Sequence, residues 1–289
     1  MRNFEFIQPA SLAEAVRSLN EGDESTRVMS GGTALMLMMK TGLYAPKRLI
    51  SLAALEARNS AIEADHDGGV LIGATATLSS VEISPVIKQL APSITQAMKK
   101  LANVRVRNVA RVGGALAHGD PHMDLPPILA SLGGELLLLG PTGERRLAVE
   151  SFYTGYLETA LLQGEIITGV RLPPQVGWCS AYMKCTTRAA DDWPTVGVAT
   201  SLRIVSGVII DARIMVGAAT ERLTRLTQAE AALRMAAPDE AAFARAADAA
   251  AAEASCVDSA SGSAAYKTEL LRVYVRRTLA EALLNGAVQ

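Results

Sequence analysis

The stretch Asn108–Pro127, N-V-A-R-V-G-G-A-L-A-H-G-D-P-H-M-D-L-P-P, constrains this chain more than any other. It holds the pair Gly113-Gly114, two His, two Asp and three Pro with scarcely any apolar periodicity. Such a composition predicts a ligand-shaping loop rather than a core element. Upstream, Val28-Met29-Ser30-Gly31-Gly32-Thr33 is a short apolar run ending in a second Gly pair, followed by the helix-like Ala34–Lys40. Strand, glycine turn and helix start in that order aim backbone N–H groups at an anion, usually phosphate. The two loops are therefore expected to form two walls around one phosphate-bearing ligand.

The remaining elements follow from local signals. Ser11-Leu12-Ala13-Glu14 has the form of a capping box, and Leu12, Ala15, Val16 and Leu19 recur at helical spacing, so a first helix is expected over 11–20. Thr26–Met29 and Arg48–Leu52 read as strands on either side of the glycine turn and its helix. A hairpin is expected around Asp65–Gly69, two or three short helices between Leu78 and Leu101, and a helix starting at Asp124 with Pro126-Pro127 in its first turn. Glu135–Gly140 with Arg145–Val149 predicts a second hairpin, and Glu165–Leu172 a further strand closed by Pro173-Pro174. That proline pair is the best domain boundary. Beyond it come strands over 180–185, 195–205 and 208–216, then helices over 227–236, 239–254 and 263–284. Ala246–Ala254 is expected on a plain surface helix.

Several function classes are excluded by what is missing. A formal net charge of −1 argues against a nucleic-acid or anionic-membrane surface, and 4% aromatic residues leave few stacking platforms for bases. No apolar run is long enough for a membrane span, and Met1–Phe6 shows no apolar signal region, so a cytoplasmic home is expected. Neither G-x-G-x-x-G nor G-x-x-x-x-G-K-[ST] occurs, which rules out the usual dinucleotide fingerprint and the P-loop. His118 and His122 stand four apart, but Gly119 and Pro121 between them break a helical metal-binding face, and no Glu follows the first His. His66 falls in a hairpin turn and is expected to be solvated. Cys179, Cys185 and Cys256 lack C-x-x-C spacing and cannot by themselves hold an iron–sulfur cluster. With Gly-x-Ser-x-Gly also absent, any chemistry is expected to come from a cofactor.

Taken in order, three sets of residues resemble the flavin-binding medium subunit of the molybdenum hydroxylases, the group of xanthine dehydrogenase and aerobic carbon monoxide dehydrogenase. They are Ser30-Gly31-Gly32-Thr33-Ala34-Leu35, then Val106–Pro121 with Asp124–Pro127, then Gly164–Thr168 with Tyr182-Met183-Lys184. Arg188-Ala189-Ala190-Asp191 and Val196-Gly197-Val198-Ala199 extend the match over nearly the whole chain.

The resemblance implies an α+β architecture: an FAD-binding domain over 1–175 of the vanillyl-alcohol oxidase (PCMH) type, with lobes about 1–55 and 56–175, and a C-terminal domain over 176–289 with a three-stranded sheet and helices. It implies that Ser30, Gly31, Gly32, Thr33, Ala34 and Leu35 hold the FAD diphosphate, and that Gly113, Gly114, Ala117, His118, Asp120 and Asp124 line the second loop. Ile167 would lie near the isoalloxazine, and Lys184 would approach its polar side and tune it. Ala115 stands where relatives often carry Asn or Ser, and Arg111 where a small hydroxyl residue is usual. The function implied is electron transfer through FAD within a heteromeric hydroxylase. An iron–sulfur small subunit would carry [2Fe-2S] clusters and a large subunit the molybdenum cofactor, in a dimer of heterotrimers. A free-standing FAD-dependent oxidoreductase and a scaffold without FAD are the alternatives.

Overall fold

The computed structural model describes residues 3–287; Met1, Arg2, Val288 and Gln289, the outer ends of the two expected domains, lie outside them. The first lobe runs β1 (Glu5–Ile7), α1 (Leu12–Asn20), β2 (Thr26–Met29), α2 (Thr33–Thr41) and β3 (Arg48–Ser51). Ser11 Oγ accepts from Glu14 N at 3.2 Å while the Glu14 carboxylate accepts from Ala10 N at 2.8 Å, so the expected capping box reaches one residue further back. The strands pair in the order β1-β3-β2, all parallel, and α2 is the crossover that parallel neighbours require. β1 escapes a sequence reading because three residues are too few to show alternation. Ala15, Val16, Ile50, Leu52 and Leu55 pack under this sheet with Ile166 from the second lobe.

The second lobe opens with the hairpin β4 (Ile62–Ala64) and β5 (Val70–Gly73), followed by α3 (Leu78–Ile83), α4 (Pro85–Leu90), α5 (Pro92–Met98), α6 (Val104–Val109), α7 (Val112–Ala117) and α8 (Leu125–Ser131). β6 (Glu135–Gly140), β7 (Gly143–Ala148), the small pair β8 (Tyr153–Gly155) and β9 (Glu158–Thr159), and β10 (Ile166–Leu172) complete it. Its sheet is antiparallel in the order β4-β5-β10-β6-β7. The stretch 108–127 differs from the single loop expected of it. The last turn of α6 and all of α7 lie inside it, and Val112, Ala115 and Leu116 are buried in the lobe's core. Their i, i+3, i+4 spacing is one helical face, short enough to be masked by the glycines and prolines around it.

The C-terminal sheet holds β11 (Trp178–Thr186), β12 (Pro194–Val205), β13 (Val208–Gly217) and a two-residue β14 (Thr224–Arg225), so four strands replace the three expected. Against one face lie α9 (Thr227–Leu233) and α11 (Ala264–Ala287), with α10 (Glu240–Glu253) packed on both helices; α5 and α8 cover the other. With both faces covered, Pro194–Leu202 is buried without a break. α10 is more than a plain surface helix: Arg245 and Asp248 face solvent, but its other face is buried. Ala242, Phe243, Ala246, Ala247, Ala250 and Ala251 are buried against α11 and α9, because a stripe of small side chains lets the helices approach closely.

Glu165 fixes the start of β10. Its carboxylate takes Arg145 in a fork at 2.6 and 2.7 Å and the amide of Leu162 at 2.7 Å. The Arg145 bonds lead the causes that hold its carboxyl below the ordinary value, despite burial. A depressed native pKa gives stability that is complete above the unfolded value, about 4.3, and fades as pH falls below it. Glu165→Gln is expected to cost about 1.5–3 kcal/mol at neutral pH. Urea melts of both proteins should show that gap narrowing as pH falls below the unfolded value; a gap of constant size would contradict the assignment.

Candidate cofactor site

The two glycine loops meet backbone to backbone. A Cβ placed on Gly31 would stand 2.1 Å from the Val109 carbonyl oxygen, so no other residue fits there. Gly32, the N-cap of α2, has φ +69°, a left-handed conformation that glycine adopts without steric cost, and no side chain caps the helix. The first-turn amides of α2 are thus left for an anion. Ser30 Oγ donates to Glu56 Oε1 at 3.1 Å, and the second oxygen of Glu56 takes Arg111 Nη2.

α7 is held from below by β5 and the turn after it. Val112 N donates to Ala76 O at 3.0 Å and Gly113 N to Ala74 O at 2.7 Å, while Ala74 N reaches Thr168 O at 3.0 Å, beside Ile167. A Cβ on Gly113 would meet the Ala74 Cβ at 2.8 Å. Gly114 behaves differently: a Cβ there would meet no atom within 4 Å. Gly114 and Ala117 form the open side of α7, while Ala115 faces the core and offers no position for a polar contact with a ligand.

At the far end of the loop the carboxylates are buried and paired. Asp120 Oδ1 accepts both the amide and Nδ1 of His122 at 2.8 Å. Burial works to raise the Asp120 carboxyl, but the bonds from His122 outweigh it and hold it low. Burial pushes the His118 imidazole down, against the pull of Asp120, so it is neutral at pH 7. The ring of His122 stacks on Trp193 at 5.8 Å between centroids. His66 is exposed, as expected, with Nδ1 2.7 Å from Asp65.

Asp124 does not cap α8. Its carboxylate accepts from Tyr182 Oη and, at 3.1 Å, from Lys184 Nζ, which also donates to Asp192 O at 2.7 Å. Lys184 is no exposed strand residue, for its side chain is only 2% accessible. Burial raises the Asp124 carboxyl, and Lys184 and Tyr182 pull it back. Tyr182 and Lys184 share a face of β11, and Gly197 on β12 makes the room, since a Cβ there would lie 2.7 Å from Tyr182 Oη.

Lys184 is therefore joined to Asp124 directly, Ser30–Leu35 reach the second loop through Gly31 on Val109 and through Glu56 to Arg111, and Ile167 neighbours the Ala74–Thr168 link. Ile167 is buried among core residues. Tyr182 could have been added from sequence, because strand alternation places it beside Lys184. Glu56 could not: nothing local points from it to Arg111, 55 residues away.

Lys184→Met would strand a buried carboxylate and is expected to cost about 3–5 kcal/mol in denaturant melts. Adding Asp124→Asn should recover part of the loss, since the two charges act as a pair. A Lys184→Met change within about 0.5 kcal/mol of wild type, the range of ordinary surface substitutions, would contradict the buried pair.

Known proteins share this sequence pattern and fold. Residues 2–175 match the family described as "FAD binding domain in molybdopterin dehydrogenase", and residues 180–282 match "CO dehydrogenase flavoprotein C-terminal domain". The medium chain of carbon monoxide dehydrogenase from Afipia carboxidovorans is 32% identical over 213 residues, 73% of each chain. The nicotine 6-hydroxylase medium subunit of Paenarthrobacter nicotinovorans is 29% identical over 278 residues, 96% of each. Among solved structures, carbon monoxide dehydrogenase from Hydrogenophaga pseudoflava superimposes with a TM-score of 0.93 at 31% identity, covering 98% of both chains. By sequence over more than half its length and by fold over nearly all of it, the chain belongs to the family of FAD-binding medium subunits of the molybdenum hydroxylases.

Proposed function

We propose that FAD lies across the two glycine loops, its diphosphate on the uncapped start of α2 and the open side of α7. The observation that carries this is the contrast between the glycines. Gly31 and Gly113 are required by the protein's own packing, whereas Gly114 borders space that no protein atom fills. A glycine there serves a close approach from outside.

The chain's own residues bind and orient. Amides at Gly31–Leu35 meet the diphosphate, Gly114 and Ala117 present a face without bulk, and Gly113 seats α7 on Ala74 beneath them. Asp120 and His118 flank the second loop, with the imidazole neutral. Asp124 and Lys184 form a buried pair whose opposite charges nearly cancel, so the ammonium tunes the cofactor as one end of a dipole rather than as a free cation. Ile167 supports the sheet beneath. Bound FAD would supply the exchange of electrons between partner [2Fe-2S] clusters and a final acceptor.

The domain division over 1–175 and 176–289, with lobes about 1–55 and 56–175, belongs to the same reading. β10 closes the five-stranded sheet at Leu172 and β11 opens the next at Trp178. So does assembly with an iron–sulfur small subunit and a large subunit bearing the molybdenum cofactor, as a dimer of heterotrimers in the cytoplasm. Relatives named as medium chains or subunits of dehydrogenases and hydroxylases support it. Among the described residues no helix is long and apolar enough to cross a membrane.

The purified chain is expected to be yellow, with absorption near ~370 and ~450 nm and FAD released on denaturation. Gly114→Leu should keep the fold, judged by circular dichroism, and lose the flavin. Equal flavin content in that variant would sink the site, and a colourless chain that refuses added FAD would favour a scaffold.

A further inference from the structure

Glu56 has the wrong sign for its position. Its carboxylate lies 3.1 Å from the Ser30 hydroxyl, two residues before the N-cap of α2, where an anion is expected to sit. A fixed negative charge there repels a diphosphate unless something cancels it. Arg111, the N-cap of α7, donates to the other oxygen of the same carboxylate. The guanidinium is largely buried, with side-chain exposure of 16%, and its Nε and Nη1 are buried without a partner among the described residues. A desolvated cation bonded to one side-chain anion makes each charge depend strongly on the other. Through Glu56, which lies in the turn Ala53–Arg58, Arg111 is linked to Ser30 of the first loop, in parallel with the packing of Gly31 on Val109.

Resting on the FAD reading above, we propose that Arg111 is a positioning and charge-compensating residue for the diphosphate. It neutralises Glu56 and so keeps the first loop competent for an anion, while Glu56 holds the Ser30 hydroxyl in place. The two side chains have opposite effects on the ligand. Removing the Glu56 charge leaves a buried guanidinium uncompensated until the diphosphate arrives, so binding is strengthened. Removing Arg111 leaves a bare carboxylate beside the anion site, so binding is weakened. A clasp that merely holds the loops together predicts weakening in both cases.

The test is FAD titration of the full-length chain, followed by flavin fluorescence, with wild type, Glu56→Gln, Arg111→Lys, Arg111→Ser and Arg111→Ser/Glu56→Gln. Glu56→Gln should bind at least as tightly as wild type and show a larger FAD-induced rise in melting temperature. Arg111→Ser should bind roughly tenfold or more weakly, with the penalty shrinking as salt is raised. Arg111→Lys should retain most of the affinity, and the double variant should recover much of what Arg111→Ser loses. Weaker binding in Glu56→Gln, or no recovery in the double variant, would overturn the proposal while leaving the FAD site intact. Should Arg111→Ser fail to fold, the sign of the Glu56→Gln effect decides alone. A wild-type chain that binds no FAD would overturn the site reading and this proposal with it.

Discussion

Two backbone segments, Ser30–Gly32 and Val109–Gly113, approach so closely that side chains are excluded between them, and the rest of the site depends on that approach. Gly31 lies against the Val109 carbonyl, and Gly113 against Ala74. Because peptide groups rather than rotatable side chains make the contact, the start of α2 and the start of α7 have a fixed separation. Hydrogen bonds from Val112 and Gly113 to Ala76 and Ala74 then carry the geometry into β5, and Ala74 passes it to β10. The second lobe's sheet thus acts as the rigid base on which two mobile-looking, glycine-rich segments become fixed walls.

The C-terminal sheet contributes more than a buttress. Its face toward α8 delivers Tyr182 and Lys184 to Asp124, in a place where an unpaired carboxylate would be costly. Ala218, with a left-handed φ of 64°, donates its amide to Pro121 O at 2.8 Å, and Gly217 leaves room for that carbonyl. The loop 118–124 is therefore gripped from the end of β13 as well as from β11. The shape of the second loop thus depends on the C-terminal sheet, since among the described residues the Asp124 carboxylate takes its side-chain hydrogen bonds from Tyr182 and Lys184 of that sheet.

Local sequence signals were most informative where a short stretch carries its own instructions. The capping at Ser11, the strand, turn and helix around Gly31-Gly32, the hairpin at Asp65–Gly69 and the proline breaks at Pro85 and Pro92 all appear where expected. The reading of 108–127 as one loop went astray because glycine and proline dominate its composition while three residues, Val112, Ala115 and Leu116, carry a helical face into the core. The alanine-rich α10 misled in the opposite way. Small side chains look suited to solvent, yet they are what allows α10 to lie close against α11.

The sequence by itself determined most of the longer elements, the two glycine turns and the family to which the chain belongs, because each is encoded in residues adjacent along the chain or in a fixed order of motifs. Only the tertiary structure decided which glycines serve packing and which border open space, since that depends on atoms far away in sequence. It alone turned Lys184 from a strand residue into a buried partner of Asp124, 60 residues distant. It alone set Glu56 between Ser30 and Arg111, a carboxylate from a third segment that bridges the two loops. Local propensity acts over a few residues, whereas burial and charge compensation act through space, and the site is made of the latter.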